Sequence, residues 1–243
     1  MPLQRVYPVI TWRYAIALLT LTLFLHEVHE LVHIFSGRVA CGCFGWRDFN
    51  VWGLCEGCSA IWPTLAGPAF TFALIWLGAW WLFSDAQWQR DLGFALVFAN
   101  MPLARILTSL SGGGDEVFAL RKLMSSGAAA EWTGLTAVLL LSVPPLVLAY
   151  RALARRHRWA WFLGFLVLPV ALDLVIVLMG MNGLLEAGVL SEPGIWGTPV
   201  LVSLYTLVLL VLLALLGRHL VMPHAPEVPA VTAAARRQPR SPS

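Results

Sequence analysis

Charge is what this chain lacks. Of its 243 residues only 12% are Asp, Glu, Lys or Arg, against roughly 25% in an ordinary soluble domain. A soluble fold of this size leaves a large wetted surface that charge must cover. The 16 basic and 13 acidic side chains are too few for that. Apolar residues make up 59% of the chain, and the mean hydropathy is +0.76. A soluble enzyme, a disordered chain and a nucleic-acid-binding domain are all disfavoured. The net charge of +3 does not argue for nucleic acid, because the arginines stand in short clusters between apolar runs. No internal repeat is visible, and no stretch is left for a separate soluble domain. An integral membrane protein is what the composition leaves.

Six apolar runs can be marked off, at about 14–35, 61–83, 93–110, 132–150, 159–180 and 199–217. Most approach the ~20 residues needed to cross ~30 Å of hydrocarbon as a helix; the third is short. The runs are continuous, not alternating, so helices are expected instead of barrel strands. The expected fold is an all-α integral membrane protein with about six transmembrane helices. Trp12, Trp62, Trp80, Trp81, Trp88, Trp132, Trp159 and Trp161 gather near run ends, as an interfacial belt does. The first run follows Arg5 and Arg13, as a signal peptide would, but it is too long and has no small-residue cleavage site. Lys and Arg in the short loops divide eleven against five in favour of an inside N-terminus and an inside C-terminus. The loop 181–198 agrees, carrying Glu186 and Glu192 and no basic residue. Residues 218–243, rich in Pro, Ala and Arg, read as a disordered tail.

The chemistry concentrates in the first span. His26, Glu27, His29, Glu30 and His33 are five ionisable residues in eight positions, and each such group inside a membrane is costly. One reading is that the span ends early and this is a wet helix end. The following Leu31-Val32-His33-Ile34-Phe35 is still mostly apolar, which weakens it. His29-Glu30-Leu31-Val32-His33 is the pattern H-E-x-x-H. On a helix, positions i and i+4 share a face, so His29 and His33 can hold one zinc ion. Glu30 then lies beside the open coordination position as general base. His26 falls one turn earlier on the same face, as a supporting partner or a competing ligand. A proton relay or a structural polar cluster is the alternative.

Catalytic zinc usually takes three protein ligands. Asp115, after Ser111-Gly112-Gly113-Gly114, is the best-placed third ligand, because the end of the third span returns to the side where the first span ends. Glu116 is its neighbour and alternative. Asp173, inside the fifth span after Pro169, is another alternative, or else a carboxylate paired within the bundle.

Taken together, these motifs resemble the site-2 protease family of intramembrane zinc metalloproteases. The residues that carry the resemblance are His29-Glu30-Leu31-Val32-His33, Gly67-Pro68 opening the second span, and Asn100-Met101-Pro102 leading to Gly114-Asp115. They cover about residues 20–125. The chain departs from the family pattern at Thr71, where Asn is common, and at Glu116, where Gly usually follows the Asp. The resemblance implies a catalytic three-span core over 1–125 and an accessory three-span region over 126–217; no inserted PDZ-like domain is visible in the sequence. It implies Zn2+ as cofactor, a membrane-protein transmembrane segment as substrate, and a multi-pass place in a bacterial plasma membrane. It further implies that Asn100 binds unwound substrate backbone; a helix–helix hydrogen bond is the plain alternative. For Gly67 and Pro68 the plain alternative is close helix approach or a bend. The family places its zinc nearer the cytosolic leaflet, whereas the charge count places the ends of spans one and three outside.

Cys41, Cys43, Cys55 and Cys58 share the loop 36–60. If that loop lies outside, one or two disulfides are expected; if it lies in the cytosol, a second zinc is the alternative. The resemblance implies that Gly37–Asn50 folds back on the membrane as a short sheet. Other functional classes stay open: a non-catalytic metal-binding scaffold, and a metal or proton transporter. A transporter would be expected to show symmetric halves, which the sequence does not.

Overall fold

Thr11 starts the first helix, its Oγ1 accepting the Tyr14 N–H at 3.1 Å. In this computed structural model, which describes residues 2–222, α1 then runs for 30 residues, Trp12–Cys41. At ~1.5 Å per residue it is longer than the hydrocarbon is thick. Gly42 caps it, its N–H reaching the Arg38 carbonyl at 3.0 Å. The chain turns back as a two-stranded antiparallel hairpin, β1 (Trp46–Arg47) and β2 (Trp52–Gly53). The sheet expected over 37–50 is therefore displaced, because residues 37–41 still belong to α1.

α2 (Trp62–Trp81) follows, with Pro63 in its first turn and Pro68 inside it. The third span is broken into α3 (Gln87–Ala99) and α4 (Pro102–Leu110). Pro102 causes the break: a proline disfavours helical backbone in the residue before it, and Met101 takes φ 49°. Short α5 (Asp115–Leu123) leads to α6 (Gly127–Ala152). α7 (Arg158–Asp173) continues through a π-helical stretch, Leu174–Met181, into α8 (Asn182–Glu186). α9 (Val200–Leu216) ends in a 3-10 turn, Gly217–Leu220.

Six of these stretches are long and apolar enough to cross a membrane, so the chain is an all-α, multi-pass membrane protein. Five of the six observed spans are longer than the apolar runs suggested; the second, Trp62–Trp81, is slightly shorter. The first reaches Cys41, the third begins at Gln87, the fourth at Gly127, and the fifth continues to Glu186. Helix geometry persists into the polar ends that hydropathy discards. The first residues of the tail expected from 218 are packed instead, since Leu220 and Met222 are buried. The Met222 N–H donates to Asp91 Oδ2 at 2.9 Å, and its carbonyl accepts from Gln87 Nε2 at 2.8 Å. The rest of the expected tail, 223–243, lies outside the described residues.

Two apolar clusters hold the bundle. One joins Tyr14 and Leu18 of α1 to Phe94 and Phe98 of α3, Leu146 of α6 and Phe165 of α7. The other joins Leu23 of α1 and Phe49 of the hairpin to Val177, Leu201 and Leu209. The last three spans thus share cores with the first three. The N-terminal segment is tied down as well: Val6 forms a parallel bridge with Leu153 in the α6–α7 turn.

Candidate metal centre

α1 is the scaffold of the site. His29 and His33 sit one turn apart on it, both buried, with their Nε2 atoms 3.1 Å apart. Asp115, the first residue of α5, places Oδ2 at 3.3 Å from His29 Nε2 and 3.5 Å from His33 Nε2. Gly114, at φ 87°, turns the chain into α5 at this point. A tetrahedral ion with bonds of ~2.0–2.1 Å separates its ligand atoms by about 3.3–3.4 Å. The three observed edges bracket that value. Two imidazoles and a carboxylate are a donor set for a divalent transition-metal ion. Among the described residues this is the one group of His, Cys, Asp or Glu side chains so arranged.

The supports of the two rings come from α2. The Pro63 carbonyl is 2.7 Å from His33 Nδ1. A carbonyl only accepts, so Nδ1 carries the proton and Nε2 faces the triangle as a lone pair. Thr71 Oγ1 meets His29 Nδ1 at 2.9 Å. Between them, a Cβ on Gly67 would lie 2.2 Å from His33 Nε2, so only glycine lets α2 approach the ligand pair. Pro63, Gly67 and Thr71 are spaced by four and form one face of α2. Trp52 of β2 covers the other side, stacking on His33 with centroids 4.4 Å apart and planes within 10°.

Arg105 of α4 brings positive charge to the same atoms. Its Nη1 donates to Asp115 Oδ2 at 3.1 Å, and its Nη2 contacts the His29 ring. Burial pushes the Asp115 carboxyl up, but the contact with the His29 ring and the Arg105 charge outweigh it. Asp115 is held well below the usual carboxylate range and stays an anionic donor. Glu116 points elsewhere. Its nearest cation is Arg105 Nη1 at 4.0 Å, both its oxygens are buried without a hydrogen bond, and burial raises its pKa.

Glu30 is buried beside the ligands, and its Oε2 has no hydrogen-bond partner among the described residues. It lines, with His26, His29 and Asp115, a cavity of about 930 Å³. Asp173 is not part of the ligand triangle. It accepts from His26 Nδ1 at 2.8 Å on the far wall of the cavity, so the two sequence alternatives pair with each other. Asn100 lines the same cavity at the α3–α4 break, its Nδ2 donating to the Leu96 carbonyl at 2.8 Å. Pro68 is buried within α2, next to Gly67.

Glu27, on a different face of α1, is engaged by Arg47 of the hairpin at 3.0 Å and by the Thr206 hydroxyl of α9 at 2.7 Å. The hairpin therefore reaches back to the middle of α1. Its base is closed by two nested disulfides, Cys41–Cys58 and Cys43–Cys55.

The chain matches no family model, no curated protein and no solved structure.

Sequence reasoning missed several of the residues that shape the site. Arg105 counted only as a loop-side topology charge, Thr71 only as a departure from a pattern, and Trp52 and Pro63 not at all. The spacing of four through Pro63, Gly67 and Thr71 was a usable signal for a helix face applied to the histidines.

Proposed function

We propose that this protein is a zinc-dependent intramembrane metalloprotease that hydrolyses peptide bonds in or near transmembrane segments. The observation that carries the reading is the triangle of His29 Nε2, His33 Nε2 and Asp115 Oδ2 beside an unpartnered, buried Glu30 carboxylate on a large cavity. When bound, zinc supplies a Lewis acid for the scissile carbonyl and makes water nucleophilic near neutral pH. His29, His33 and Asp115 hold it. Glu30 takes one proton from the attacking water as the carbon–oxygen bond forms, and returns it to the amine nitrogen as the carbon–nitrogen bond breaks. Its lack of other partners leaves Oε2 available for both transfers.

The rest of the cavity wall receives the substrate. A transmembrane helix has its backbone groups already paired and must unwind before a carbonyl is exposed. Asn100 offers its carboxamide to such an unwound strand at the α3–α4 break. Gly67 keeps α2 close enough to orient both histidines.

The N-terminus and C-terminus lie on the inner side in this reading. Disulfides persist in oxidising compartments, so the bonded loop 41–58 belongs outside, in agreement with the placement of the arginines. His29 and His33 lie beyond the midpoint of α1, in its outer half.

The test is metal analysis of the purified protein together with cleavage of a reporter transmembrane segment. Wild type is expected to carry about one zinc per chain and to cleave. His33→Ala is expected to lose both zinc and cleavage. Absence of zinc from the wild-type protein, under conditions that load other zinc enzymes, would sink the proposal.

A further inference from the structure

Away from the metal centre, the face bearing the N-terminus holds a basic cavity that the proposed protease does not use. It has a volume of about 590 Å³ and is lined by Arg5, Tyr150, Arg155, His157, Arg158 and Trp159. None of these is acidic, and neither Arg5, Arg155 nor Arg158 forms an ion pair with a described residue. The guanidinium groups are oriented by other means. Arg5 Nη1 donates to the Arg151 carbonyl at 3.0 Å, and Arg155 Nε to the Pro8 carbonyl at 3.0 Å. Arg158 lies 4.7 Å from the Tyr150 ring centroid and Arg155 lies 5.7 Å from that of Trp161. Carbonyls and aromatic faces fix a cation without cancelling its charge.

Trp161 is also where an apolar groove begins. The groove runs between α1 and α7, with a volume of about 520 Å³. Ile10, Ile16 and Leu19 line one wall, and Trp161, Gly164 and Leu168 the other. It extends from position 10 to 22 on one helix and from 160 to 172 on the other. Twelve residues of helix rise about 18 Å, close to half of a ~30 Å hydrocarbon core. A Cβ on Gly164 would meet nothing within 4 Å, so the wall there is open.

We infer that this is a binding site for an anionic phospholipid: phosphate among Arg5, Arg155 and Arg158, and one acyl chain in the α1–α7 groove. Charge without counter-charge selects the headgroup. The groove, about one leaflet deep and starting at Trp161, whose ring lies against Arg155, selects a lipid over a soluble anion. The site would brace the N-terminal half of α1, the helix whose other half carries His29 and His33.

The experiment is native mass spectrometry of the full chain released from detergent, titrated with phosphatidylglycerol or phosphatidylcholine of identical acyl chains. Phosphatidylglycerol is expected to be retained at about tenfold lower concentration, and R155Q/R158Q to erase that preference. Gly164→Leu keeps every charge and fills the groove, so it is expected to weaken retention of phosphatidylglycerol even if the arginine variant inserts badly. Equal retention of the two lipids overturns the proposal, as does unchanged retention in Gly164→Leu. Inorganic phosphate that protects the protein from heat as well as phosphatidylglycerol does also overturns it, in favour of a soluble anion.

Discussion

Two glutamates on α1, three residues apart, meet opposite fates. Glu27 is 1% exposed and ion-paired: Arg47 and Thr206 both address its Oε2, while its Oε1 has no hydrogen-bond partner among the described residues. Glu30 is 5% exposed, and among the described residues no cation or hydroxyl pairs with it. The first arrangement neutralises a charge inside a membrane protein; the second leaves one facing a cavity without a counter-charge. A buried carboxylate without partners is expensive, and the fold tolerates it at the position that faces a cavity beside three metal-ligand atoms. The contrast separates an ion-paired carboxylate from an unpaired one on the same helix.

The sharpest way to break the comparison is to exchange the two roles by mutation. Glu30→Gln is expected to leave zinc content and stability unchanged and to lower cleavage by about 10²–10⁴-fold; cleavage at the wild-type rate would remove Glu30 from the mechanism. Glu27→Ala should do the reverse. It leaves Arg47 buried and unpaired, at a cost of about 3–5 kcal/mol, read as a lowered Tm in detergent. Replacing Glu27 and Arg47 together by Leu and Met should recover much of that loss, and failure to do so would mean the pair holds the hairpin by more than charge.

Smaller effects are expected at the supports. Thr71→Ala releases His29 Nδ1 and should weaken zinc binding about 10–100-fold, measured by competition with a chelator; Thr71→Ser should restore it. Glu116→Gln should be the mildest. Burial raises the folded-state pKa of Glu116 above its unfolded value, so folding favours the protonated form and stability falls as pH rises through that interval. The glutamine variant should be slightly more stable than wild type at pH 8. The difference should vanish below about pH 4, where the unfolded chain is protonated too. A Tm difference independent of pH would contradict this.

How much of this was readable in advance depends on where the partners lie. The pair His29 and His33 was legible because its geometry is local, set by a helical spacing of four. Asp115 was legible through topology, since the third span must return to the side where the first one ends. Asp173 was marked as a buried carboxylate, but its partner could not be chosen between a metal and the bundle. Arg105, Trp52 and the Arg47–Glu27–Thr206 group were hidden because their contacts join distant segments, and nothing in a local pattern pairs position 27 with position 206. Helix ends were underestimated for a different reason. Hydropathy reports where lipid is tolerated, whereas hydrogen-bonded helix continues past that point until a residue such as Gly42 ends it.

The hydroxyl of Thr206 also bears on how the protein is made. It sits on α9, 179 residues after Glu27. A chain emerging from the ribosome inserts α1 long before α9, so Glu27 and Arg47 must wait for α9 before the Thr206 hydroxyl reaches them. A chain stopped before residue 200 would carry α1 into the bilayer with that buried charge group incomplete.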